Sequence, residues 1–197
     1  MQYKQILGIL SLVIAMAGYI PYIVNIFKGK TKPHAYTWLT WEVLAVVGFG
    51  IQLQGGGGPG AWLLGLTTLM TMLIFVLSLK YGHKDIHTID TISLMFAGAT
   101  LVFWILTDQP LVAAILISLI EAIGGFFPTF RKSYKLPFEE TLTSYVAYTF
   151  STVLALIALT NQSIEIVFYP IAVMILNICF VIFVLIRRNK MRKGRRR

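Results

Sequence analysis

Glu42 and Glu121 are the residues whose type and setting point most directly to chemistry, because each lies inside a long apolar stretch. A carboxylate is costly in hydrocarbon, so one found there is expected to bind a proton, a cation or a polar ligand. Glu42 stands six residues past Tyr36, within reach of interfacial water or of His34, which leaves a structural and a functional role equally open. Glu121 stands ten residues before Arg131, about 15 Å into a bilayer at a rise of about 1.5 Å per residue. No basic residue shares its depth. It is therefore neutral, exposed to a wet cavity, or bound to a cation. Proton coupling, cation binding or substrate binding is set against a buried neutral hydrogen-bond partner.

Other reactive groups form no comparable set. Trp38, Trp41 and Tyr145 gather at one end of two apolar stretches, as an interfacial aromatic belt or as stacking surfaces for a ring-bearing substrate. His34, His83 and His87 are loop residues. His83 and His87 are four apart, which suits a metal only on a helix with further ligands, so no metal or other cofactor is expected. The single cysteine, Cys179, excludes an intrachain disulfide and reads as a small packing residue. The run Gly55-Gly56-Gly57-Gly58-Pro59 lacks the Gly-Lys-Ser/Thr that a phosphate-cradling loop needs, so it is a turn. No nucleophile, base and orienting group can be assembled, which argues against an enzyme.

The elements that carry these residues follow from composition. Of 197 residues 57% are hydrophobic and only 13% charged, with a mean hydropathy of +0.76, whereas soluble domains are about 25% charged. Such a chain has lipid as its solvent. Seven stretches have the length of a membrane span, about 20 residues: Gln5 to Phe27, Tyr36 to Gln54, Pro59 to Tyr81, Ile89 to Thr107, Pro110 to Phe130, Thr141 to Thr160 and Ile164 to Ile186. Lys4 and Ala15-Met16-Ala17 imitate a cleaved signal peptide, but the apolar run continues through Phe27, so retention is expected.

The net charge of +9 is not spread as a nucleic-acid-binding face. Eight of 17 basic residues lie between Arg187 and Arg197. The others, apart from Lys4, are Lys28, Lys30 and Lys32 in the first connection, Lys80 and Lys84 in the third, and Arg131, Lys132 and Lys135 in the fifth. The second, fourth and sixth connections hold none. By the positive-inside rule the odd connections and the C-terminal tail are cytoplasmic and the N-terminus is outside, which requires an odd number of spans. The tail is also expected to attract anionic lipid headgroups.

An internal repeat sharpens the architecture. Gly18-Tyr19-Ile20-Pro21-Tyr22-Ile23 parallels Gly125-Phe126-Phe127-Pro128-Thr129-Phe130, and each is followed by a basic stretch ending in a second proline, Pro33 or Pro137. Beyond these, Thr37 matches Thr141, Thr40 matches Ser144 and Trp41 matches Tyr145. The fold class expected is all-α integral membrane: two parallel three-helix repeats, 1–82 and 109–187, joined by a linker helix in 83–108 and followed by a basic tail, 188–197. A fourth span returns the chain so that both triplets run in the same direction. Pro21 and Pro128 are candidate hinges, because an internal proline frees a carbonyl and kinks the helix.

With these motifs the whole chain resembles the PQ-loop and SWEET superfamily, which includes cystinosin-like carriers and KDEL receptors. The stretch Gly29-Lys30-Thr31-Lys32-Pro33-His34-Ala35-Tyr36-Thr37-Trp38 is similar to a bacterial group without assigned function, which implies a bacterial cell membrane. The family's Pro-Gln pairs are Pro21-Tyr22 and Pro128-Thr129 here, so the prolines match and the glutamines do not. The resemblance implies a central pocket lined from the third span of each triplet. Asn177 answers to that description, and Thr68 and Thr71 flank its counterpart, Met70. It also implies a small facilitator or proton-coupled carrier for a small polar metabolite such as a sugar or amino acid. A receptor or regulatory subunit is the alternative on this architecture, and oligomerisation is open.

Overall fold

The computed structural model describes residues 2–82, 87–135, 137–140 and 142–194. Among them no strand occurs, and the chain forms seven helical rods. Helices α1 (Gln2–Phe27) and α2 (Ala35–Gln54) are followed by a 3-10 turn, Gly58–Ala61, that leads into α3 (Trp62–Tyr81). Next come α4 (Thr88–Thr107) and a rod in three parts: α5 (Pro110–Ile120), a π-helical turn (Glu121–Phe126) and α6 (Phe127–Lys135). A 3-10 turn at Pro137–Glu139 precedes α7 (Leu142–Ala158) and α8 (Ile164–Gly194). Five helices are long and apolar enough to cross a membrane: Gln2–Phe27, Gly58–Tyr81, Thr88–Thr107, Pro110–Lys135 and Ile164–Lys193. Helix α7 is apolar but 17 residues long, and α2 carries Glu42, Gln52 and Gln54.

Local chemistry sets the boundaries. The His34 ring accepts the Thr37 N–H at the start of α2. At its end, Gly56 and Gly58 adopt φ of 71° and 62°, a region that glycine enters without a Cβ penalty. Asp90 accepts the His87 N–H at 2.8 Å to cap α4. Asp108 closes α4 in the left-handed region at φ 50°, and Pro110 opens α5, where its missing N–H costs nothing.

Several boundaries differ from the sequence reading; the fifth rod, for one, runs on past Phe130 to Lys135. Helix α8 continues beyond Ile186 to Gly194, because Lys and Arg are good helix formers and suit the negative C-terminal end of the dipole. Helix α7 ends at Ala158, where the chain turns so that the Thr160 N–H reaches the Gly57 carbonyl at 2.9 Å.

Helix α1 packs against α7 and α3, α2 against α3, α4 and α5, and α5 and α7 both against α8. The central core joins Leu44, Val47 and Ile51 to Leu64, Ile117 and Val173. Missing side chains permit the closest approaches. A Cβ on Gly60 would stand 2.5 Å from the Ala155 carbonyl oxygen, and one on Gly8 2.8 Å from that of Pro59. Such small residues bring helix backbones together where no hydrophobic force separates lipid from protein. Large apolar side chains such as Leu69, Met95, Phe96 and Leu106 point outward, as a lipid environment favours. Cys179 is also exposed rather than packed, because its turn of α8 buries Asn177 and Phe180 instead.

The two ends of the bundle differ in chemistry. At one, the Asn161 side chain donates to the Gly55 carbonyl at 2.9 Å, Gln54 donates to Asp108, and Lys4 Nζ donates to the Leu159 carbonyl at 2.7 Å. At the other, His34 pairs with Asp90 at 3.8 Å, while Arg188 donates to the carbonyls of Pro137 and Glu140 at 2.8 and 2.7 Å. The second, fourth and sixth connections thus share the glycine-rich end, and the basic connections share the opposite one.

Candidate functional site

Glu121 is buried, with 5% of its surface exposed, and stands where α5 gives way to the π turn. The cause of that turn lies seven residues on. Pro128 has no N–H, and its ring would collide with a carbonyl four residues back in a regular helix. The ladder shifts to accommodate it: the Phe127 N–H reaches the Ala122 carbonyl, five residues back. A widened turn of this kind is frequent at functional sites. Pro21 has no such effect, since α1 runs unbroken through it. The two candidate hinges are therefore unlike in structure.

The carboxylate meets residues from several helices. Tyr169 of α8 donates to Glu121 Oε2 at 3.5 Å. Trp41 Nε1 of α2 faces the other oxygen across Gly125: a Cβ there would lie 2.6 Å from Trp41 Nε1 and 3.3 Å from Glu121 Oε1. This buried indole N–H meets no partner at hydrogen-bond geometry among the described residues, though Glu121 lies within its longer range. Tyr19 of α1 and Tyr148 of α7 stand near Thr67 of α3 and within electrostatic range of Glu121. Thr67 itself donates to the Leu63 carbonyl at 2.9 Å, leaving its oxygen free to accept.

Glu42 forms a second polar pair. It is also buried, and the Thr71 hydroxyl donates to its Oε2. His34 is engaged elsewhere, with Thr37 and Asp90, so it does not pair with Glu42. Thr68 donates to the Leu64 carbonyl of its own helix at 3.0 Å. Asn177 is 4% exposed, and its amide donates to Val173 O at 2.8 Å, again within its own helix. Of the threonines in α3, Thr67 and Thr71 are thus the ones turned to the centre.

The aromatic group divides. Trp38 and Trp41 meet edge to face at 5.0 Å, and Tyr22 packs on Trp38 at 5.2 Å. Tyr145 instead packs on Phe180 at 4.6 Å and donates to Glu140 at 3.3 Å, in a separate cluster with Phe126 and Phe130. His83, Lys84, Thr141 and Arg195 to Arg197 lie outside the described residues.

Comparison with protein-family models, with curated proteins and with solved structures gives no match. The geometry alone thus bears on function. Two small cavities flank the centre. One, of about 10 Å³, is lined mainly by apolar residues such as Leu63, Leu64 and Ala155, together with Gln52, Tyr148 and Thr152. The other, also about 10 Å³, lies between Thr37, Thr40, Trp41, Asp90, Ser93 and the glycine pair 124–125. Each has room for about one water.

Four residues of the centre escaped the sequence reading: Thr67, one position before the candidate Thr68, and Tyr19, Tyr148 and Tyr169. Tyr19 sits inside the repeated Gly-aromatic-apolar-Pro motif, which was a usable signal. Nothing in the spacing of Tyr148 and Tyr169 marks which face they take.

Proposed function

We propose that this chain is a small membrane transporter, a facilitator or proton-coupled carrier for a small polar metabolite such as a sugar or amino acid. In this reading seven spans form two parallel triplets joined by α4, with the basic connections and tail cytoplasmic and residue 2 outside. The triplets rock against one another about the centre, and Glu121 is the coupling or substrate-binding group. The observation that carries the reading is the company Glu121 keeps. Its partner Tyr169 belongs to the second triplet, while Trp41 and, at longer range, Tyr19 belong to the first. A polar group shared between two bundles near mid-depth is what alternating access requires.

Packing supports the same reading. In each triplet the third helix lies against the other two, and across the triplets α1 meets α7 while α2 meets α5. That exchange is the pattern of a two-fold axis along the membrane normal, as in the PQ-loop and SWEET superfamily that the chain resembles. The charge difference between the two ends supports the orientation.

One feature favours a receptor or regulatory subunit instead. Arg187 lies 4.0 Å over the Tyr134 ring, and Arg188 and Arg192 flank Phe138, giving a set docking surface at the basic end. Uptake of radiolabelled sugars, amino acids, nucleosides and organic acids into proteoliposomes separates the two. The carrier reading expects saturable uptake that Glu121→Gln lowers at least about tenfold, equivalent to about 1.4 kcal/mol. No uptake across the panel by folded, reconstituted protein would favour the receptor.

A further inference from the structure

Helix α4 need only return the chain to its starting side, yet it contributes two polar residues to the cleft beside Glu121. Asp90 and Ser93 face Thr37 and Thr40 of α2 and the glycine pair of the π turn. At the outer end, Asp90 Oδ2 is 3.8 Å from His34 Nε2, among the basic connections. At the inner end stands the unpartnered Trp41 Nε1, with Glu121 Oε1 beyond it across Gly125. A buried N–H left unsatisfied is costly, and a polar space with room for about one water relieves that cost. Glycine at two positions keeps the space clear. A side chain at 124 would run into Ser93, and one at 125 would enter the gap between Trp41 and Glu121.

We propose that this cleft is a hydrated inlet through which Glu121 exchanges protons with the basic face, making α4 part of the coupling site. The inference rests on the carrier reading only for the role it gives Glu121. A proton passed by water in the cleft to Glu121 Oε1 neutralises the carboxylate, and its return along the same route restores the charge. Facing Glu121 are Tyr169 from α8, Tyr148 from α7, Tyr19 from α1 and the Trp41 indole from α2. His34 and Asp90 stand at the outer end, and Glu42 is turned to Thr71. The cleft thus provides a polar path between a buried carboxylate and an ionisable mouth.

Trp41 is a built-in reporter. In nanodiscs, with the tryptophans labelled with nitrogen-15, the indole N–H signals of Trp38, Trp41, Trp62 and Trp104 are assigned by Trp→Phe variants and followed after transfer to D₂O. Trp104 is the internal control. Its Nε1 is equally buried and unpartnered, and it lies three residues from the end of its helix at Thr107, whereas Trp41 lies six from Ala35. The inlet predicts that Trp41 exchanges at least about tenfold faster than Trp104, as a local hydrated route allows. Gly125→Ala and Ser93→Val should each slow Trp41 toward the Trp104 rate.

A Trp41 signal as long-lived as that of Trp104, or fast exchange unchanged in both variants, overturns the inlet. Should Gly125→Ala not fold, Ser93→Val and the wild-type comparison decide. Exchange is read without any substrate. A dry cleft therefore removes the inlet and leaves the carrier, while fast exchange without uptake removes the carrier and leaves the inlet.

Discussion

Thr71 holds Glu42 with one hydroxyl, and Tyr169 meets Glu121 with another, so each buried carboxylate depends on a neighbour that a single substitution deletes. Removing the donor takes a hydrogen bond from a buried acid, at a cost of about 1–3 kcal/mol. Thr71→Val should lower the unfolding midpoint in detergent accordingly. Glu42→Leu combined with Thr71→Val should recover much of the loss, because a polar pair replaced by an apolar one is nearly neutral. Strictly additive effects in that double-mutant cycle would show that the two do not interact. The acids were legible in the sequence because charge stands out in an apolar run. The tyrosines around Glu121 were not, since Tyr is ordinary in such helices and its partner is chosen by packing. For Asn177, one amide hydrogen donates within its own helix, to Val173, which no spacing rule reveals.

Among the elements, the π turn at Glu121–Phe126 matters most. The two prolines stand at matching repeat positions, yet α1 stays α-helical through Pro21 whereas the fifth rod is widened ahead of Pro128. Replacing Pro128 by Ala restores an N–H and permits a regular helix across the turn. Loss of the extra residue would swing the preceding side chains by roughly 100°, carrying Glu121 away from Tyr169. Pro128→Ala should therefore depress uptake in protein that still folds, while Pro21→Ala should change it little. Equal effects in the proteoliposome assay would mean that the π turn is incidental. Helix ends were more legible than helix shape. The Asp90 cap, the glycine turn at 55–58 and Pro110 are local signals, whereas a π turn depends on how a ladder adjusts to one missing donor.

For the whole molecule, lipid imposes rules strict enough to read from sequence, which is why the helices and the charge alternation between connections were visible. The pairing of α1 with α7 was not. It depends on residues far apart in the chain: Gly18 of α1 lies beside Ser144 and Ala147 of α7, and the 3-10 turn wedges against both helices, at Gly8 and at Ala155. Gly60→Val should accordingly destabilise the fold by about 1–3 kcal/mol through overpacking, read as an earlier unfolding midpoint. Orientation has its own test. In a Cys179→Ser background, Gly56→Cys and Lys30→Cys should react with a membrane-impermeant thiol reagent from opposite sides, Gly56→Cys from outside. Labelling of both from one side would refute the topology.

If a small polar ligand binds where the two triplets meet at Glu121, a thermal-shift screen of purified protein will detect it. Sugars, amino acids, nucleosides and organic acids are each added at two pH values, to wild type and to Glu121→Gln. A ligand that binds only the folded state, at 100 times its dissociation constant, stabilises by about 2.7 kcal/mol. One chemical class should give a saturable upward shift that is lost in Glu121→Gln. A shift that Glu121→Gln leaves intact, or none across the panel in folded protein, would contradict binding at Glu121.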